Sequence, residues 1–226
     1  MFSAPFSRAF RPPFGPGLSA ATSWWLSGGI APANCIAAYA PKGAASLAAS
    51  YTNLANPGTY DAAPGVAPTW DTTNGWIGNG STQYLDTGIS TLTSSWSTIV
   101  RYSNVTAGQA KYLCGCKMNS GYYGFLPWRN DSVYNHIYFY NVGNFFWNPS
   151  DSASGVCAIS NTNGYFNSTD RGDLTGGGTA AGNYYIFQMG DLTSSKISCY
   201  IQALAIYNIT LSSTQISALT TAINAL

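Results

Sequence analysis

The sequence predicts an all-β sandwich of two antiparallel sheets, and three observations carry that expectation. Short aromatic and β-branched runs recur along the chain between clusters of Gly, Asn, Asp, Ser and Pro. Asn74-Gly75, Asn79-Gly80 and Asn163-Gly164 supply dipeptides that tolerate the positive φ of tight hairpin turns. No helical pattern alternates with the strands, which argues against a parallel, doubly wound sheet. The length of 226 residues suits one such domain, since all-β domains often run to roughly 200–250 residues.

Taken in order, the chain begins with a segment unlike the rest. Residues 1–22 carry Phe2, Phe6, Phe10 and Phe14 among Pro5, Pro12, Pro13 and Pro16. The four-residue spacing is helical, but the prolines forbid a continuous helix. An extended N-terminal arm is expected, docking its phenylalanines on a partner, because four such side chains suit a free tail poorly. The main domain spans 23–226. Ala31–Tyr51 is Ala-rich, with room for one helical turn near Ala44–Ser50, and Asn53–Pro68 reads as loop. Strands are expected at Gln83–Leu85, Ser97–Tyr102, Lys111–Cys114, Tyr122–Leu126, Ser132–Tyr140, Asn144–Trp147, Gly155–Ile159, Asn163–Phe166, Tyr184–Met189 and Ile197–Ile206. The apolar stripe Ile216, Leu219, Ile223, Leu226 marks a short C-terminal amphipathic helix. Ser212, three residues before Gln215, gives it a capping box.

Composition excludes several classes of function. Charged residues are 8% of the chain, against roughly 25% in an ordinary soluble domain, and the formal net charge is +1. No basic cluster offers an electrostatic footprint for nucleic acid. No apolar run approaches the roughly 18 residues of a membrane-spanning helix. The start MFSAPFSRAF lacks a continuous apolar core and is not expected to act as a secretory signal.

The catalytic repertoire is equally short. All eight acidic residues are Asp, there is no Glu, and His136 is the single histidine. A retaining glycosidase needs two carboxyl groups about 5–5.5 Å apart. The closest acidic pair in sequence, Asp170 and Asp173, flanks Arg171-Gly172 in a stretch read as a glycine-rich loop. Arg171-Gly172-Asp173 itself reads as a turn. No G-x-S-x-G elbow surrounds a serine, so His136 reads as a hydrogen-bonded strand residue. No enzyme is expected. Cys114-Gly115-Cys116 is C-x-C rather than the C-x-x-C of zinc and redox sites, and on a strand both thiols share a face. Two readings of the five cysteines stay open: buried small hydrophobes, or a disulfide between chains in an oxidising location.

Glycan binding needs no catalyst. It needs exposed aromatic faces to stack on sugar C–H surfaces, with amides or carboxylates for the hydroxyls. The candidates are Trp128 with Arg129, Asn130 and Asp131, the pair Tyr122 and Tyr123, and Trp147 in the run Phe145–Asn148. Alternation places Tyr134, His136, Tyr138 and Tyr140 on one strand face, opposite Asn135, Ile137 and Phe139. With seven Trp, sixteen Tyr and ten Phe, most aromatics must be core.

Two sequence blocks carry a resemblance. Gly75-Trp76-Ile77-Gly78-Asn79-Gly80-Ser81-Thr82-Gln83-Tyr84-Leu85 resembles the early strand pair of LamG-like jelly-roll domains. Ala203-Leu204-Ala205-Ile206-Tyr207-Asn208-Ile209-Thr210-Leu211-Ser212-Ser213-Thr214-Gln215-Ile216 resembles their closing strand and helix. The resemblance covers roughly residues 30–226 and implies a concanavalin A-like jelly-roll sandwich. Trp24–Leu85, with Asn53–Asp61, also looks like LamG-like proteins of tailed phages. That similarity implies a structural protein of a virion surface: a capsid decoration, head fibre or tail fibre component. Its implied partners are other virion proteins reached through the arm, further copies of itself in a homo-oligomer, and a host glycan. No cofactor is expected beyond calcium, which the resemblance makes possible through Asp71, Asp86, Asn130, Asp131, Asp170 and Asp173. The alternatives are a secreted carbohydrate-binding module and a degenerate glycoside hydrolase.

Overall fold

The computed structural model describes residues 23–129, 135–148, 152–190 and 195–226. The arm, with Phe2, Phe6, Phe10 and Phe14, lies outside the described residues. Sixteen strands follow in chain order: β1 Cys35–Tyr39, β2 Ala63–Val66, β3 Thr69–Asp71, β4 Gly75–Ile77, β5 Tyr84–Asp86, β6 Ser97–Ser103, β7 Gln109–Ala110, β8 Cys114–Met118, β9 Gly121–Arg129, β10 Asn135–Asn141, β11 Gly143–Trp147, β12 Gly155–Ser160, β13 Asn163–Phe166, β14 Thr169–Asp173, β15 Tyr185–Ile186 and β16 Tyr200–Tyr207. Among the described residues two α-helices join them, the single turn α1 at Leu47–Ser50 and α2 at Ser213–Asn224. The strands form two antiparallel sheets. The first runs β14-β13-β12-β6-β16-β4-β3, with β1 also paired to β16. The second runs β11-β10-β9-β8-β15-β5-β2, with β7 paired to β9. The all-β jelly-roll sandwich expected from sequence is therefore present.

Alternation explains how the sheets pack. Val100 and Tyr102 of β6, Cys157 and Ile159 of β12, and Leu204 and Ile206 of β16 point inward. They meet Cys114 and Cys116 of β8, Tyr123 and Phe125 of β9, and Ile137 and Phe139 of β10. The opposite face of the first sheet is covered as well. Ile99, Val156, Ala158, Ala203, Ala205 and Tyr207 lie under Trp24 and under Ile216, Leu219 and Ile223 of α2. That is why β16 is apolar at nearly every position: it is buried on both sides. Among the described residues, no helix covers the second sheet over β10 and β11; β10 alternates between partly exposed and buried residues, and β11 between partly and fully exposed ones.

The C-terminal helix forms as its sequence predicts. Ser212 accepts from the Gln215 backbone, and the Gln215 side chain accepts from the Ser212 backbone. Leu226 falls beyond the helix and is exposed. The Cys114 and Cys116 side chains share the inward face, and all five cysteines are buried and free. Burial rules out the inter-chain disulfide, because none presents its sulfur at the surface.

Several sequence expectations are corrected. The Ala-rich stretch contains a strand, β1, because Ala37 and Ala38 fit tightly against β16. Asn53–Pro68 is not all loop, since it contains β2. The strand expected at Lys111–Cys114 starts only at Cys114, and Tyr184–Met189 pairs only at Tyr185–Ile186. Asn79-Gly80 joins the two sheets rather than closing a hairpin, with Asn79 Oδ1 accepting from Ser81, Thr82 and Gln83. Asn163-Gly164 sits inside β13, and the turn falls two residues earlier, at Asn161 and Thr162. Gly164 is needed because a Cβ there would come within 2.9 Å of the Phe139 ring. Arg171-Gly172-Asp173 is part of strand β14, not a turn or a loop.

Candidate functional site

The outer face of the second sheet carries the candidate site. It is built on β9, β10 and β11, whose register sets side chains opposite one another. His136 pairs with Trp128, Tyr138 with Leu126, and Tyr140 with Gly124. On the other side of β10, Tyr138 pairs with Phe146. Because side chains alternate along a strand, these residues share the outer face while Tyr123, Phe125, Ile137 and Phe139 enter the core.

The result is a continuous aromatic surface. Trp128 lies 6.3 Å from Tyr138, ring centre to ring centre, and Tyr138 lies 6.2 Å from Tyr140. Both pairs are within 26° of parallel. Tyr112 continues the row at 5.7 Å from Tyr140, and Tyr122 follows 6.4 Å further on. His136 and Phe146 flank the Trp128 end, 5.3 Å from each other. Phe146 is 49% exposed, unusual for so apolar a side chain. Burial raises the Tyr112 and Tyr140 phenols above their ordinary range, so both stay neutral, and their hydroxyls engage each other. Beside Tyr140 the floor is glycine backbone, with the buried Met189 side chain packed against it at Gly115 and Gly124. A Cβ at Gly124 would meet the Cys114 carbonyl at 2.1 Å, so glycine alone lets β8 and β9 approach there.

The sequence-predicted site residues fare unequally. Tyr122 and Trp128 stand on this face. Tyr123 is a correction: it is fully buried, and its hydroxyl donates to the Trp96 carbonyl, so its ring cannot meet a ligand. Trp147 is another. It points the opposite way from Phe146, packs on Phe166 at 5.1 Å, and carries the Arg171 guanidinium 3.9 Å above its ring. It helps close the sandwich edge between β11 and β14. Arg129 ends β9, while Asn130 and Asp131 lie outside the described residues, as does Tyr134. Tyr112 was missed, because nothing in its local sequence tells that β9 and β10 bring Tyr122 and Tyr140 to it.

The carboxylates serve local structure. Asp71, in β3, accepts from the Thr73 and Asn74 backbones and from the Asn74 side chain, which holds its carboxyl below the ordinary range. Asp86, in β5, accepts from Gly88 and Asn183. Asp170 and Asp173 both accept from the Asn163 side chain. All four lie in strands, Asp170 and Asp173 in β14 rather than in the loop that the sequence suggests. Among the described residues, no three His, Cys, Asp or Glu side chains gather where they could hold a metal ion.

Comparison with known proteins supplies the fold and nothing finer. The sequence matches no family profile, and no curated protein matches it either. Solved structures do resemble it. The botulinum neurotoxin serotype D ligand binding domain, in complex with N-acetylneuraminic acid, superposes with a TM-score of 0.55 at 12% identity. It covers 84% of this chain and 51% of its own. The botulinum neurotoxin serotype G binding domain gives 0.54 at 13% identity, covering 83% and 51%. A mutant Trypanosoma rangeli sialidase with trans-sialidase activity gives 0.54 at 11% identity, covering 85% and 34%. The chain thus spans about half the length of the neurotoxin binding domains and about a third of the sialidase. At these identities the likeness establishes a shared β-sandwich fold.

Proposed function

We propose that this chain is a non-catalytic, glycan-binding sandwich domain of a phage virion surface, with the outer aromatic face of its second sheet as the binding surface. The single observation that carries the glycan reading is that face. The row of rings projects from a sheet whose partner sheet has its own outer side sealed by α2. Aromatic side chains left partly exposed in this way offer stacking surface that a purely structural sheet would bury. A sandwich neighbour solved in complex with N-acetylneuraminic acid supports the same class of ligand. The absence of Glu and the engagement of Asp71, Asp86, Asp170 and Asp173 in strand and turn hydrogen bonds support a binding rather than a hydrolytic role.

The virion setting rests on the resemblance of Trp24–Leu85, with Asn53–Asp61, to LamG-like proteins of tailed phages, and on the phenylalanines and prolines of the arm. In this account the arm of residues 1–22 fixes the domain to a neighbouring virion protein, copies of the domain associate, and the aromatic face is turned to the host. Cryo-electron microscopy of particles assembled with the full chain or with residues 1–22 deleted tests it. The expected result is density for the domain on the particle surface only with the full chain. Equal incorporation of the truncated domain, or its absence from particles altogether, contradicts the proposal.

A further inference from the structure

We infer that a cleft beyond the end of α2, on the outer side of the first sheet, binds the carboxylate of a small sugar acid, with Arg101 as its anchor. The cleft lies on the sheet opposite the aromatic face, so the inference stands apart from the reading above. Helix α2 covers the first sheet as far as Asn224. There a cleft of about 300 Å³ opens over β6 and β16, with Arg101, Ser103, Ser154, Gln202 and Asn224 in its lining. That volume is at the small end of the range of about 300–1,000 Å³ for ligand sites.

Two observations mark the cleft as a site. The first is Gln202. The pairing of β16 with β6 shifts between Ile201 and Ala203, and Gln202, the residue at the shift, lines the cleft. It is 9% exposed, and among the described residues its side-chain amide has no hydrogen-bond partner. Buried amides nearly always have one, and the cleft is the space this amide borders. The second is a pair of cations without an acid. Arg101 Nη1 donates to the Ile223 carbonyl at 2.9 Å, which satisfies one carbonyl at the end of α2. The rest of the guanidinium makes no hydrogen bond among the described residues. The Lys42 backbone N–H donates to the Gln202 carbonyl and so sets a second cation beside the cleft. Among the described residues no carboxylate pairs with Arg101 or Lys42. Burial pulls Arg101 below its ordinary range, and burial followed by the charge of Arg101 does the same to Lys42. A bound anion relieves both cations at once.

The lining sets the class of anion. The planar fork of a guanidinium matches the two oxygens of a carboxylate. The hydroxyls of Ser103 and Ser154 and the amides of Gln202 and Asn224 offer partners to hydroxyl groups rather than to a hydrocarbon chain. A carboxylate on a compact, hydroxylated ring answers both demands.

The test is a nuclear magnetic resonance titration of the nitrogen-15-labelled full chain, which locates the binding without any variant. The probes are glucuronic, galacturonic and N-acetylneuraminic acids, with glucose and galactose as neutral sugars and acetate and inorganic phosphate as bare anions. The expected result is saturable shifts at Arg101, Gln202 and Asn224 with at least one sugar acid. Its affinity should exceed that for both neutral sugars and both bare anions by about tenfold or more. Arg101→Gln then weakens the sugar acid about tenfold while the circular dichroism stays that of the unmodified protein. Gln202→Leu, which leaves the Arg101 contact to Ile223 in place, weakens it about threefold. A neutral sugar, acetate or phosphate bound as tightly as every sugar acid overturns the inference. So do shifts confined to residues away from the cleft, binding unchanged in Arg101→Gln, and silence with every probe.

Discussion

At the scale of single residues, two tyrosines one position apart have opposite fates. Tyr122 faces outward beside Tyr112, while Tyr123 is sealed in the core. Tyr123→Ala is expected to cost about 3–5 kcal/mol of stability, as for other large-to-small changes at buried aromatic sites, and Tyr122→Ala well under 1 kcal/mol. Urea unfolding of the two variants checks this. The buried thiols make a second prediction. Burial pushes Cys35, Cys114 and Cys116 from 9.0 up to about 12. Below pH 9 both folded and unfolded chains keep these protons. Above it the unfolded chain releases them first, so stability is lost as pH rises toward 12. Each thiol adds up to about 1.4 kcal/mol of loss per pH unit in that window. The urea midpoint, measured under reducing conditions, should be flat near neutrality and fall above about pH 9. A thiol reagent should find all five cysteines slow to react until the protein is unfolded. A cysteine that reacts at once in the native protein contradicts the burial.

At the scale of elements, periodicity was legible wherever an element met one environment. The α2 stripe and its capping box were readable because helix contacts and caps are local. The alternation of Tyr138 and Tyr140 against Ile137 and Phe139 was readable because one face of β10 is wet and one dry. Strand β1 was not readable: Cys-Ile-Ala-Ala-Tyr has weak strand character, and its place comes from pairing with β16, some 165 residues later. The segment after it was also underestimated. Asn53 is fully buried, and its side chain accepts from Ala38 and Ala55 while donating to Ile36 and Thr59. One amide thus ties the connecting segment to β1. Asn53→Ala should leave those backbone groups without partners and cost on the order of 3 kcal/mol. Ser212→Ala, which removes half of the α2 capping box, should cost about 1 kcal/mol. Thermal unfolding ranks the two, and a larger loss at Ser212 than at Asn53 contradicts the bracing role.

At the scale of the whole molecule, the sandwich is asymmetric. Among the described residues, one sheet is covered on both sides and serves as scaffold, and the other carries an aromatic outer face. Sequence alone identified a sandwich and named Trp128 and Tyr122, but it also offered Tyr123 and Trp147. Those two could not be separated from the rest without knowing which sheet face each strand turns inward and which edge Arg171 closes over. The site is a product of strand register, which places His136 opposite Trp128 and Gly124 opposite Tyr140, and register is a long-range property. The measurement that tests the central claim most directly is a glycan array probed with the labelled full chain and with the double variant Trp128→Ala, Tyr138→Ala. The account predicts a defined set of bound glycans for the unmodified chain and loss of that set in the double variant, with the variant's unfolding midpoint close to normal. Glycans bound equally by both proteins, or by neither, would contradict it.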